Sequence, residues 1–297
     1  MLRKKLIREA PLHAMLLPGI VLTFIFSYIP LYGIIIAFQN FDPTLMFHSP
    51  WVGWDNFKYV FELPGFVQSI WNTLYIAIFK IIGGIVVPVT FALLLNEIRH
   101  KKFKKSLQTL IYLPNFLSWI IVAGLLIDIL STDGIVNELL GLFGVDPIFF
   151  LGSNTWFPIT MILSDIWKGF GFGTVVYLAA LTSIDPSLYE AAEVDGAKRW
   201  KQTLHITLPG ITPIIILMSV LSLGNVLNGG FDQIFNLYSP LVYESGDIID
   251  TFVYRLGIEQ AQYSPAAAVG LFKSAISFVL IAVAYFLADK LADYRIF

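Results

Sequence analysis

Six apolar runs, each long enough to cross the hydrocarbon core of a bilayer, limit this chain more than any motif does. They read as Pro11–Phe38, Ile70–Asn96, Leu107–Leu130, Trp156–Leu181, Ile211–Leu227 and Pro265–Ala288. A helix needs about 20 residues to span that core. No water is available there, so backbone N–H and C=O groups must be satisfied within the segment, as a helix does. The expected fold is therefore all-α: a polytopic bundle of six transmembrane helices in a single domain covering residues 1–297. Composition agrees. Charged residues make up 13% of the chain, against about 25% in soluble domains, and mean hydropathy is +0.74.

Charge segregation orients the bundle. Arg3, Lys4, Lys5 and Arg8 precede the first run, and Arg99, Lys101, Lys102, Lys104 and Lys105 follow the second. Lys198, Arg199 and Lys201 fall between the fourth and fifth runs, and Lys290 and Arg295 follow the sixth. The opposite loops hold only Lys58 and Arg255. By the positive-inside rule both termini are cytoplasmic. The first run exceeds the roughly 7–15 apolar residues of a cleaved signal peptide and lacks a small-x-small site, so it reads as a retained span. Pro18 and Pro30 are expected to kink it, and Gly83-Gly84 and Pro88 to interrupt the second. Trp51, Trp54, Phe57, Tyr59 and Phe61 suit an interfacial aromatic belt on the external side. The Arg99–Lys105 cluster is explained by orientation and anionic lipid, not by nucleic acid.

Several chemistries find no support. The chain has no cysteine, which excludes disulfides, Cys–zinc sites and thiol catalysis. His13, His48, His100 and His205 lack metal-ligand spacing, so no metal site is expected. Gly169, Gly171 and Gly173 lie within an apolar run and read as close helix packing. No phosphate-binding G-x-x-x-x-G-K-[ST] occurs. A membrane enzyme would need intramembrane His or carboxylate clusters, and none is present.

The longest polar interruption runs from Asp185 to Pro209. Asp185 is placed to cap a helix and Pro186 to occupy its first position. The helix runs over Ser187–Asp195, and Gly196 is expected to end it with positive φ. A second short helix covers Ala197–His205. The pattern Glu190-Ala191-Ala192, three residues, Gly196, nine residues, Ile206, one residue, Leu208-Pro209 resembles the EAA loop of binding-protein-dependent ABC importer permeases. The resemblance implies a cytoplasmic coupling helix hairpin over 185–209 that docks on an ATPase. Glu190, Ala191, Ala192, Gly196, Ile206, Leu208 and Pro209 are then the coupling residues. It further implies a second homologous permease, an ATPase dimer and an external solute-binding lipoprotein. ATP and Mg would belong to the ATPase, with no cofactor in this chain.

The flanking segments extend the likeness. Tyr28–Gly33, Ala37–Phe41 and Ser49–Gly53 resemble sugar permeases. Phe231–Leu237, Pro240–Tyr243 and Asp250–Arg255 are similar to the branch that takes up oligosaccharides from complex polysaccharides. An oligosaccharide importer in a bacterial cell membrane is the reading this supports. The alternatives are an ABC permease for another solute and an ion-coupled secondary transporter. The latter commonly shows an internal repeat and leaves the EAA-like spacing without a role.

Polar residues inside the runs mark a candidate pathway, since charge there usually faces a partner or a water-filled cavity. Asp165 and Lys168, three apart on one helix, either neutralise each other or line that pathway. Trp167 lies beside them. Asn115 and Trp119 in the third run and Lys273 in the sixth either line the pathway or pack between helices. Lys80 either snorkels or pairs, and it receives no role in the pathway. Asn225, Asn228, Phe231, Asp232 and Gln233 combine aromatic faces with hydrogen-bonding groups, as a sugar site requires. Gly229-Gly230 is expected to break the helix there and to free backbone groups.

Overall fold

The structure is a computed structural model that describes residues 2–224 and 226–292. It is helical throughout, and among the described residues the β structure is one isolated bridge between Gln39 and Trp51. The chain divides into two compact units: Met1–Leu63 with Val253–Phe272, and Pro64–Phe252 with Lys273–Phe297.

In the first unit, α1 (Leu2–Thr23) passes into a π-helical turn (Phe24–Tyr28) and then a 3₁₀ stretch (Ile29–Phe38). Pro11 and Pro18 are accommodated within α1. The winding changes beside Pro30, which has no N–H for the carbonyl four residues back. Trp51, Trp54 and Phe57 of the belt pack on Phe38, whose ring stacks on Trp51 at 5.5 Å and meets Trp54 edge-on at 5.4 Å. Asn56, on α2 (Asp55–Glu62), donates to the carbonyls of Ala37 and Gln39, both at 2.9 Å.

The second unit is built on α3 (Phe66–Glu97) and α7 (Trp156–Leu181). Between them lie α4 (Lys101–Tyr112), α5 (Trp119–Ile129) and α6 (Ile135–Gly141). The expected interruption of the second span does not occur: α3 is continuous for 32 residues. Gly83 serves close approach instead, because a Cβ there would lie 2.0 Å from Ile166 Cδ1 on α7. Gly171 and Gly173 act likewise, facing the Ile111 carbonyl and Pro88, whereas the space at Gly169 is open. The third span is not straight. A 3₁₀ turn at Leu113–Phe116 separates α4 from α5, and the two helices meet at 102°. Pro114 withholds its N–H at this point, and Ser118 caps the new helix by accepting from the Ile121 N–H at 3.4 Å.

The chain continues through α8 (Pro186–Val194), α9 (Arg199–Gln202), a π turn (Thr203–Thr207) and α10 (Leu208–Leu223). It then forms α11 (Phe231–Leu237), α12 (Tyr243–Gly246), α13 (Ile249–Tyr254) and α14 (Tyr263–Ala292). The expected separate helix over 197–205 is only α9, whose π turn runs straight into α10. Among the described residues, two apolar cores lie in this unit. One joins Ile76, Phe157, Met161, Ile234 and Ile248, and the other joins Ala92, Tyr177, Leu181 and Ile211.

Among the described residues, four helical stretches are long and apolar enough to cross a membrane: Pro11–Phe38, Phe66–Glu97, Arg199–Leu223 and Tyr263–Phe286. The bent α4–α5 pair makes a fifth candidate. Helix α7 has the length, at 26 residues, but Asp165 and Lys168 lower its apolarity.

Candidate functional site

Lys80, near the middle of α3, organises the polar centre. Its Nζ lies 3.6 Å from Asp165 Oδ1 on α7, and the two side chains are 9% and 36% exposed. It also donates to Gln233 Oε1 at 2.5 Å and to the Gly229 carbonyl at 3.0 Å. Two of the three donor hydrogens of the ammonium serve these two hydrogen bonds, and Asp165 answers its charge as an ion pair. Gly230 supplies the turn that brings Gly229 there, with φ of +88° at the start of α11. The glycine pair thus frees a backbone carbonyl, as its sequence suggests, and the lysine takes it.

Gln233 is fully buried. Its Nε2 donates to the Met161 carbonyl and to Ser164 Oγ, both at 2.8 Å. The amide is thereby fixed with its oxygen toward Lys80, and it positions that lysine. A cavity of about 270 Å³ opens beside the network and is lined by Lys80, Asp165, Ser222, Asn228, Gly230 and neighbouring α3 residues. On α14, Lys273 donates to Asp250 Oδ1 at 2.5 Å and to Asn228 Oδ1 at 3.1 Å.

Asp165 and Lys168 do not pair with each other. Asp165 meets Lys80, whereas Lys168 turns to the α4–α5 break. There it donates to the Asn115 carbonyl at 3.3 Å and sits 5.3 Å from the centre of the Trp119 ring. Trp167 lines a separate, apolar cavity of about 270 Å³ with Leu163 and Trp156. Phe231 stacks on Phe235 at 5.1 Å, and Asp232 is exposed in the first turn of α11. Asn225 lies outside the described residues. Sequence reasoning missed Lys80, Asp250 and Ser222. For Lys80 the available signal was its position, as the one charged residue inside the second run.

The second feature is the hairpin. Asp185 caps α8 by accepting from the Ser187 N–H at 2.9 Å. That backbone bond, and next the Ser187 hydroxyl, hold its carboxyl below its usual 3.8. Gly196 has φ of +75°. Its N–H bonds the Glu193 carbonyl at 3.0 Å, and the Ala197 N–H bonds the Ala192 carbonyl at 2.8 Å. These two bonds are a Schellman closure, which favours glycine in the left-handed position. The limbs are tied by a 3.0 Å bond between the Tyr189 and Thr207 hydroxyls. Arg199 forms an exposed ion pair with Glu97, anchoring the hairpin to the end of α3. Glu190 and Ala191 are exposed, Ala192, Ile206 and Leu208 half-buried, and Pro209 exposed in the first turn of α10. Val194 and Trp200 stand 89% and 75% exposed on this polar element, an unusual placement for large apolar side chains unless they are covered in an assembly.

A helical membrane chain with paired charges inside its apolar segments and a polar hairpin between two of them has the make-up of a transport subunit. The family of binding-protein-dependent transport system inner membrane components matches residues 84–293, and the chain belongs to it. The chain is 42% identical over 295 residues to the polygalacturonan/rhamnogalacturonan transport system permease protein YteP of Bacillus subtilis (strain 168), covering 99% of this chain and 92% of that protein. It is 40% identical over 292 residues to protein LplB of the same organism, covering 98% and 92%. Among solved structures it resembles a chain of a bacterial ABC transporter involved in import of the acidic polysaccharide alginate, with TM-score 0.91, 41% identity and coverage of 98% and 99%. A second structure, of the alginate transporter in complex with alginate pentasaccharide-bound periplasmic protein, matches with TM-score 0.89 and 40% identity over 97% of each chain. The chain is a multi-pass permease component of a bacterial inner-membrane transport system.

Proposed function

We propose that this chain is one of two homologous permease subunits of an ATP-driven importer for an oligosaccharide derived from a complex polysaccharide. The observation that carries this reading is the full-length likeness, at about four residues in ten, to permeases named for polysaccharide transport. In this reading residues 1–297 form a single permease domain, and α7 and the bent α4–α5 pair complete six spans. Both termini and the 185–209 hairpin face the cytoplasm. The hairpin docks on an ATPase dimer, with Glu190 and Gly196 central and Val194 and Trp200 covered at that contact. ATP and Mg belong to the ATPase chains. An external solute-binding lipoprotein delivers the sugar, and Asn228, Lys273 and the Lys80–Asp165 pair border its path.

Uptake of labelled oligogalacturonides by cells carrying and lacking this gene tests the reading. Uptake should require this chain, the binding protein and ATP. Uptake that continues without the chain, or that follows an ion gradient without ATP, would overturn it. Reporter fusions after Phe297 and within Asp133–Asp146 test the topology; a cytoplasmic signal from the second fusion would refute six spans.

A further inference from the structure

We infer that Lys168 and Trp119 form a subsite for the carboxylate-bearing ring of an acidic sugar, a uronate, as it passes this chain. The inference rests on the oligosaccharide reading above and adds the residues of this chain that would meet a charged ring of that sugar.

Three lysines lie within or beside the polar centre, and they differ in one respect. Lys80 meets Asp165, and Lys273 meets Asp250. Lys168, midway along α7, meets no carboxylate among the described residues. One hydrogen bond, 3.3 Å to the Asn115 carbonyl, and one aromatic face are its partners there. One of its three donors is therefore used. A charge at membrane depth is costly unless something answers it. A neutral amide at position 168 would serve the Asn115 carbonyl as well. The positive charge has no counterpart inside the described chain, which points to an anion that arrives from outside it.

The surroundings suit that anion being a sugar acid. Trp119 is half-buried at the first position of α5, so its ring offers a flat face beside the ammonium. Pyranose rings present apolar C–H faces that pack on aromatic rings, while their substituents seek charged and hydrogen-bonding groups. The two residues stand where the helix is broken by 102°. Non-helical backbone at membrane depth is tolerated where it is buried in protein or borders a water-filled path, and transporters build substrate sites at such breaks. The positive end of the α5 dipole adds to the lysine charge. A neutral oligosaccharide would use the ring and leave the ammonium unanswered; a uronate uses both.

The test uses the assembled transporter, co-purified with its partner subunits in lipid nanodiscs and without binding protein. Equilibrium binding is measured for trigalacturonate and for its fully methyl-esterified form, which keeps the rings and removes the charge. Wild type should prefer the acid. Lys168→Gln should weaken acid binding by about tenfold or more and leave ester binding unchanged, while Lys168→Arg keeps the preference. Trp119→Ala should weaken both ligands. Equal binding of acid and ester by wild type would overturn the inference. So would equal losses for both ligands in Lys168→Gln, which marks a packing role. A wild-type complex that neither binds nor takes up any oligosaccharide would instead remove the carbohydrate reading itself.

Discussion

The Lys80–Asp165 pair makes the sharpest energetic prediction. Replacing Asp165 by Asn leaves a charged lysine that is 9% exposed. Breaking a fully buried pair by removing one partner costs about 3–5 kcal/mol. Here the ammonium keeps Gln233 Oε1 and the Gly229 carbonyl, and Asp165 is 36% exposed at 3.6 Å. The expected cost therefore falls to about 1–2 kcal/mol. Lys80→Met acts differently. It orphans the oxygen of Gln233, a residue with no exposure, at about 1–3 kcal/mol. The freed Asp165 carboxylate can reach the cavity and its water. With Lys80 already Met, Asp165→Asn removes an unpaired charge and should cost almost nothing. The double variant should therefore be more stable than the sum of the singles by about 1 kcal/mol or more. At about 2–4 °C per kcal/mol, the singles should melt several degrees below wild type and the double variant close to Lys80→Met. Thermal unfolding in nanodiscs followed by intrinsic tryptophan emission reads this directly; thiol-reactive dyes cannot serve, because the chain has no cysteine. Strict additivity would refute the pairing. A double variant that is stable and inserted but inactive would place these charges in the path itself.

Two further predictions concern the hairpin. Gly196 has φ of +75° and open space around it, so Gly196→Val should cost about 1 kcal/mol through backbone strain alone and abolish substrate-stimulated ATP hydrolysis in the assembled complex. Gly196→Asn, which tolerates that φ better, should retain part of it, and full stimulation in the Val variant would exclude a coupling role. The Asp185 carboxyl titrates below its usual 3.8, so its cap is fully present above that value and is lost only as pH falls through the lowered one. Protease sensitivity of 185–209 should therefore not change between about pH 7 and 5, and a rise across that interval in wild type but not in Asp185→Asn would contradict the cap.

How much of this was legible in the sequence depends on the distance over which each feature is determined. The hairpin was readable because its determinants are local. Asp185, Pro186 and Gly196 act on their own turns, and the cap and the positive φ are where those residue types put them. The apolar runs were readable for a similar reason, since length and composition alone decide what hydrocarbon accepts. Breaks within the runs were less readable. Gly83-Gly84 and Pro114 look alike as helix breakers, yet α3 continues through the first and the chain turns sharply at the second. The difference lies in the partner: Ile166 occupies the space left by Gly83, while Ser118 stands ready to start a new helix just beyond Pro114.

The charges were the least readable. Asp165 and Lys168 are neighbours on one helix face by spacing, which left mutual neutralisation and a place along the pathway both open. The structure does not pair them with each other. Asp165 is answered by a lysine 85 positions earlier and Lys168 by a carbonyl 53 positions earlier. A side chain in a membrane bundle is surrounded chiefly by other helices, and few groups there are polar, so an intramembrane charge goes wherever the packing of spans has left an acceptor. For Lys80 that acceptor set was assembled from α7, from the Gly229 carbonyl and from Gln233. The last of these was expected to touch the sugar, and its amide instead spends all three of its observed hydrogen bonds inside the protein. The polar residues free to meet a substrate are then those whose bonding capacity the chain leaves unused, and by that criterion Lys168 stands ahead of Gln233.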